Sequence, residues 1–218
     1  MTNAHPPGPR SAPSARRWAS VALVLTIAMV GVAAGSASAA TPTRQTSAKI
    51  KVVGTPLKTS SSIGASDDPA IGKPAPTISG QGFDGEAVSF ANDGKPRMLI
   101  FVAHWCPHCR AEVPRLVKLA KQGKLDGVEV QAVATGTNKD LPNYPPSKWL
   151  AREKWPFTPV LADDSKSRAL TAFGGNSFPF FVLISADGSV AVRGSGELEP
   201  SLIASAVKAL VAGTPIFS

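Results

Sequence analysis

Before Asp67 the chain carries no acidic residue, and its 218 residues include only two cysteines, three histidines and one tyrosine. Each scarcity excludes something. Both cysteines, Cys106 and Cys109, fall in one short motif, so no scaffold disulfide can staple the fold and a packed core has to hold it. No cysteine lies near the N-terminal apolar segment to carry a lipid. Only His5 lies outside the neighbourhood of Cys106, which denies a structural zinc site its second pair of ligands. Basic residues nowhere interleave with aromatics in a stripe, so nucleic-acid binding is not expected. No internal repeat of fixed period occurs.

The formal net charge of +8 is unevenly spread. Residues 1–40 hold three basic groups and residues 41–66 hold four, with no acidic ones, leaving 16 basic against 15 acidic groups from Asp67 onward. The excess belongs to the N-terminal extension and the remainder is nearly neutral. Arg16-Arg17 precede an apolar run from Val21 to Ala34, and small residues follow from Gly35 to Ala40. This order reads as a secretory signal peptide over 1–40. The run falls short of the ~20 residues that span a bilayer, although Trp18, Ala19 and Ser20 lengthen it enough to keep an uncleaved N-terminal anchor as the alternative. Residues 41–67, rich in Ser, Thr, Lys and Pro, read as a flexible linker. A single domain is expected over 68–218, with an apolar fraction of 43% across the chain to fill its core.

Within that domain, Thr77-Ile78 and Ala87 to Phe90 predict short strands joined by a turn at Phe83-Asp84-Gly85-Glu86. Met98 to Ala103 has the branching of a buried strand, and the amphipathic segment after it predicts a helix to about Gly123, kinked at Pro114. Val128 to Thr135 predicts a parallel partner strand. A Pro-rich insert over 141–146 precedes a short helix from Ser147 to about Lys154, with Trp149 and Trp155 as packing groups. Thr158 to Ala162 predicts a strand and Ser165 to Phe173 a helix begun by Asp163 or Asp164. Phe180 to Ile184 and Val190 to Arg193 predict an antiparallel hairpin, and Pro200 opens a last helix to about Val211. The fold class is α/β, a central mixed sheet flanked by helices with an N-terminal β-hairpin extension.

Chemistry concentrates in Trp105-Cys106-Pro107-His108-Cys109, between the buried strand and the helix. Cys106 at the helix start meets unpaired backbone N–H groups and the macrodipole, which stabilise a thiolate. Two intervening residues let Cys106 and Cys109 close a redox-active disulfide. A structural bridge across so short a loop gains little loop-closure entropy. Haem attachment would need His where Arg110 stands. Cys106 is expected to be exposed and to attack, and Cys109 to resolve the mixed disulfide. His104 reads as a solvent-exposed residue. Pro107 removes a backbone donor near the sulfurs, while His108 can offer a positive charge and a hydrogen bond to Cys106.

Trp-Cys-x-x-Cys between strand and helix, continued by Arg110-Ala111-Glu112-Val113-Pro114, resembles the thioredoxin superfamily, in particular its TlpA-like, redoxin-type extracytoplasmic branch. The likeness runs from about Asp68 to Gly213 and includes Gly72-Lys73-Pro74-Ala75-Pro76 and Phe178-Pro179. It implies a thioredoxin-like fold, no cofactor or metal, Glu112 as a carboxylate that adjusts the thiols and relays protons, and Pro179 as a cis proline. Trp105, Phe178 and Pro179 are then the substrate-binding residues. Ile100 stands where cytosolic thioredoxins bury an aspartate, which leaves Glu112 alone near the sulfurs. The implied function is a monomeric thiol–disulfide oxidoreductase exchanging with protein thiols and disulfides outside the cytoplasm, served by a membrane redox partner. The pair Pro107-His108 resembles strongly oxidising periplasmic enzymes, so the expected direction is oxidation. A dedicated reductase of cytochrome c maturation and a copper carrier of the same fold are the alternatives.

Overall fold

The computed structural model describes Met1 and residues 49–217. The signal segment and the first part of the linker lie outside the described residues. Lys51–Val53 forms β1, which pairs antiparallel with β2 (Thr77–Gln81), and β2 pairs antiparallel with β3 (Ala87–Phe90). The predicted hairpin is therefore present, closed over residues 82–86 by the Gly82 N–H donating to the Glu86 carbonyl at 2.9 Å. β1 corrects the linker boundary. Ile50 is buried and the Leu57 N–H donates to the Ala172 carbonyl at 2.9 Å, so the stretch from residue 50 belongs to the packed body rather than to a tether.

β4 (Arg97–Val102) is buried at all six positions, as its apolar, partly branched run requires. Helix α1 (Pro107–Lys121) follows, with Cys106 as its N-cap residue and Pro107 in its first turn. It runs unbroken through Pro114, which is exposed and lacks only one donor. β5 (Glu129–Ala134) lies parallel to β4, helix α2 (Pro146–Arg152) carries the buried Trp149, and β6 (Leu161–Ala162) extends the sheet parallel to β5. β6 is shorter than expected because Pro159 has no N–H to give a ladder. Helix α3 (Arg168–Ala172) starts later than expected. Ser167 before it adopts a left-handed φ of 52°, while Asp163 accepts the N–H groups of Ala169 and Leu170 at 2.9 and 3.2 Å. β7 (Phe180–Ile184), β8 (Val190–Ser195) and helix α4 (Pro200–Ala212) complete the chain.

The larger sheet has the order β6-β5-β4-β7-β8, parallel on one side of β4 and antiparallel on the other. Alternation along β4 divides the core. Met98, Ile100 and Val102 pack with α1, α4 and Trp149, whereas Leu99 and Phe101 pack with α3 and the small sheet. Among the described residues no helix is long and apolar enough to cross a membrane.

One wholly buried cation ties the N-terminal stretch to β8. The Arg193 guanidinium donates through Nε to Asp68 at 2.9 Å and through Nη1 to the Lys58 and Phe173 carbonyls at 3.0 and 2.9 Å. Burial alone would push the Asp68 carboxyl up, but hydrogen bonds from Arg193 and Ala70 and the guanidinium charge bring it below its ordinary value. Asp68→Ala leaves that charge buried without its counter-ion, a loss of about 3–5 kcal/mol. Urea unfolding should show this drop, together with earlier proteolysis of residues 50–66.

Candidate active site

The end of β4 forces the geometry of the thiols. At Ala103 the chain leaves the sheet, and two hydrogen bonds fix the turn: the Cys106 N–H donates to the Ala103 carbonyl at 3.0 Å, and the Ala103 N–H points to Cys109 Sγ at 3.4 Å. Both cysteines are free thiols. Cys106 is less open than expected, at 5% exposure, because the loop before β7 leans over it. Its Sγ lies 3.6 Å from the Phe178 carbonyl, and the Phe178–Pro179 peptide is cis. Cys109, one turn deeper, is fully buried. That burial pushes its thiol far above the ordinary range, with the neighbouring Cys106 and Glu112 adding to the shift and the Ala103 N–H opposing it.

Trp105 and Phe178 sit together at the rim, half-buried and edge to face with centroids 5.8 Å apart. The Trp105 indole donates to the Gly136 carbonyl at 2.8 Å. Gly136 has φ of 57°, and a Cβ there would meet the Phe178 ring at 3.3 Å, so this position needs glycine twice over.

His104 is buried, contrary to the expectation of solvent exposure, because the Pro-rich insert folds back onto it. The Asn138 N–H donates to Nε2 at 3.2 Å, which leaves Nδ1 as the protonated nitrogen donating to the Pro142 carbonyl at 2.6 Å. Asn143 Nδ2 donates to the His104 carbonyl at 3.1 Å, and Tyr144 packs edge-on against the ring.

His108 also departs from expectation. It is exposed, and its Nδ1–H goes to Glu197 Oε1 at 2.8 Å, not to Cys106. The other Glu197 oxygen accepts from Arg115 Nη1 at 2.7 Å, and the same nitrogen reaches Glu112 Oε2 at 3.3 Å. Glu112 is wholly buried, and among the described residues its Oε1 has no hydrogen-bond partner. Burial pushes its carboxyl above the ordinary value, while Arg115 and the Leu198 amide pull the other way. Sequence reasoning named Glu112 but not Arg115 or Glu197, which the fold brings beside it. Arg115 lies three residues after Glu112 on the same helix, a spacing that could have flagged it. Glu197 carries no such signal.

A thiol pair at a strand-to-helix turn, faced by a cis proline on a mixed sheet, defines a thioredoxin-like thiol–disulfide oxidoreductase. Known proteins agree. The AhpC/TSA family model matches residues 71–193, and the chain belongs to that family. It is 31% identical over 146 residues to the thiol:disulfide interchange protein HelX of Rhodobacter capsulatus, covering 66% of this chain and 78% of that one. It is 30% identical over 154 residues to the thiol:disulfide interchange protein DsbE of Escherichia coli, with the same coverages of 66% and 78%. Among solved structures it resembles a thiol:disulfide interchange protein of the thioredoxin family from Chlorobium tepidum. That match has a TM-score of 0.52 and 28% identity, covering 63% of this chain and 95% of that one.

The buried carboxyl has a consequence for stability. Because the folded state raises Glu112 above its ordinary 4.5, the folded form binds the extra proton, and stability falls as pH rises from that value through the folded one. Glu112→Gln should flatten this slope. Unfolding free energies of the two proteins, measured from pH 4 to 8, should diverge in favour of the variant as pH rises.

Proposed function

We propose that this chain is an extracytoplasmic thiol–disulfide reductase that passes two electrons from Cys106 and Cys109 to disulfides of exported proteins. The observation that carries the direction is the diversion of His108 to Glu197 at 2.8 Å. An oxidising site needs a specially stabilised thiolate, since that stabilises the reduced form and makes the disulfide eager to regain it. The imidazole that would supply this is held elsewhere. Burial of Cys109 beside Glu112 works in the same direction, because it withholds stabilisation from the second thiolate. The oxidising lean suggested by Pro107-His108 therefore loses its main support.

In the forward reaction the Cys106 thiolate attacks one sulfur of a substrate disulfide, forming a mixed disulfide and releasing the other sulfur as a thiolate that takes a proton. Cys109 then attacks Cys106 Sγ, losing its proton to Glu112 as it does so. The Cys106–Cys109 bond forms, the mixed disulfide breaks, and the second substrate thiol leaves. Two electrons have moved to the substrate, and a membrane redox partner supplies two more, with two protons from solvent, to reduce the Cys106–Cys109 bond again. Trp105, Phe178 and Pro179 receive the substrate strand at the rim.

The signal segment supports an extracytoplasmic location. So does the likeness to the exposed lipoprotein thioredoxin of Streptococcus pneumoniae (27% identity, TM-score 0.51, 62% of this chain and 99% of that one). A dedicated reductase, as in cytochrome c maturation, is the form of this reading that the thiol environment favours, and the protein acts as a monomer. The copper-carrier alternative, in which a histidine joins the two sulfurs as a ligand, has less support. Both His104 nitrogens are engaged, His108 is paired with Glu197, and among the described residues no three His, Cys, Asp or Glu side chains converge for a metal.

Equilibration with glutathione tests the direction. The disulfide should have a potential at or below the ~−270 mV of thioredoxin, and a value nearer ~−120 mV would restore the oxidant. The division of labour is tested by trapping. Cys109→Ser should accumulate mixed disulfides with substrate through Cys106, while Cys106→Ser should form none and lose all turnover; residual exchange by the latter would remove Cys106 as the attacking thiol.

A further inference from the structure

We propose that Glu197 is a positioning residue for thiol–disulfide exchange, which draws the His108 side chain away from Cys106 and is itself held by Arg115. The inference rests on the reductase reading and explains how a Cys-Pro-His-Cys site can be kept reducing.

The loop between β8 and α4 delivers this carboxylate rather than merely carrying it. On one side of Glu197, the Gly196 N–H donates to the carbonyl of Pro179 at 2.9 Å, which fastens the loop to the cis proline facing the sulfurs. On the other side, Leu198 packs into the core cluster that contains Cys106, Cys109 and Val113. With its backbone held at both flanks, Glu197 presents one oxygen to His108 Nδ1 at 2.8 Å and the other to Arg115 Nη1 at 2.7 Å. These partners lie 89 and 82 positions away along the chain, so only the folded protein brings them together.

The charges around the pair are His108, Arg115 and Glu112 on α1, and Glu197 on the loop. The His108 hydrogen bond, opposed by partial burial and aided by the Arg115 charge, holds the Glu197 carboxyl below its ordinary value, so it faces the imidazole as an anion. Its negative charge offsets any positive charge on His108, and the bond to Nδ1 fixes the ring's orientation. His108 is 66% exposed at its side chain and its ring makes no other hydrogen bond among the described residues. Once released, the ring can turn. Exposed pairs of this kind are individually weak, so the expected change is a modest redistribution and not a loss of activity.

The test is a double-mutant cycle on the full protein, read as the glutathione equilibrium at pH 7. Glu197→Gln keeps an acceptor near His108 but removes the charge that holds it. It should make the disulfide more oxidising by about fivefold in the equilibrium constant, or about 20 mV. In a His108→Ala background the same substitution should move the equilibrium by less than about twofold, a coupling that a purely structural role for the loop would not produce. An unchanged potential in Glu197→Gln, or an equal shift in both backgrounds, would overturn the assignment. The wild-type potential alone judges the reductase reading, whereas the difference on substitution judges Glu197, so either can fail without the other.

Discussion

Burial of β4 on both faces and both edges is the constraint from which the rest follows. Its six residues face two separate halves of the core and are hydrogen-bonded to β5 on one side and β7 on the other, so no part of the strand can meet solvent. Even its first residue, Arg97, is drawn in, its guanidinium shared among Asp93, Glu129 and Gln131. A strand so enclosed must stop where the sheet stops. The chain turns at Ala103, and α1 begins within four residues with its N-terminus and both sulfurs beyond the C-terminal end of β4. The loop before β7, the antiparallel neighbour, arrives at that same end, which is how Phe178 and Pro179 come to face Cys106. Reactive thiols and covering loop are two ends of one sheet geometry.

The polar groups around the sulfurs form two tiers with different physics. Glu112 and Cys109 lie in the dry tier, where loss of hydration dominates and proton affinities rise. His108 and Glu197 lie in the wet tier, where salt screens their attraction. Arg115 spans the two, touching a buried carboxylate and an exposed one through the same nitrogen. A change of surface charge can therefore reach the buried carboxyl through a single side chain.

Much of this fold was legible in the sequence, for identifiable reasons. The apolar run at 98–103, the Pro at the start of α1 and α4 and the turn glycines are local signals with local causes, and the elements they predicted are present. β1 was not legible because Lys51-Val52-Val53 is too short to show a period and owes its conformation to β2, over twenty residues away. His104 read as exposed because its burial depends on an insert that lies far along the chain and supplies backbone groups, which no residue type announces. The site divides the same way. The cysteines, Glu112 and Pro179 stand in recognisable surroundings, whereas Glu197 is one acidic residue in a loop and gains meaning only from what it faces.

The Arg193–Asp68 pair also bears on how long the native state lasts. Its partners are 125 residues apart, so closing that contact on its own would cost the entropy of a long loop. A contact absent from the transition state adds little to the rate of folding and acts on the barrier to escape. The arginine is then a latch on the finished protein. It holds Lys58 and Asp68 against β8 in the folded protein.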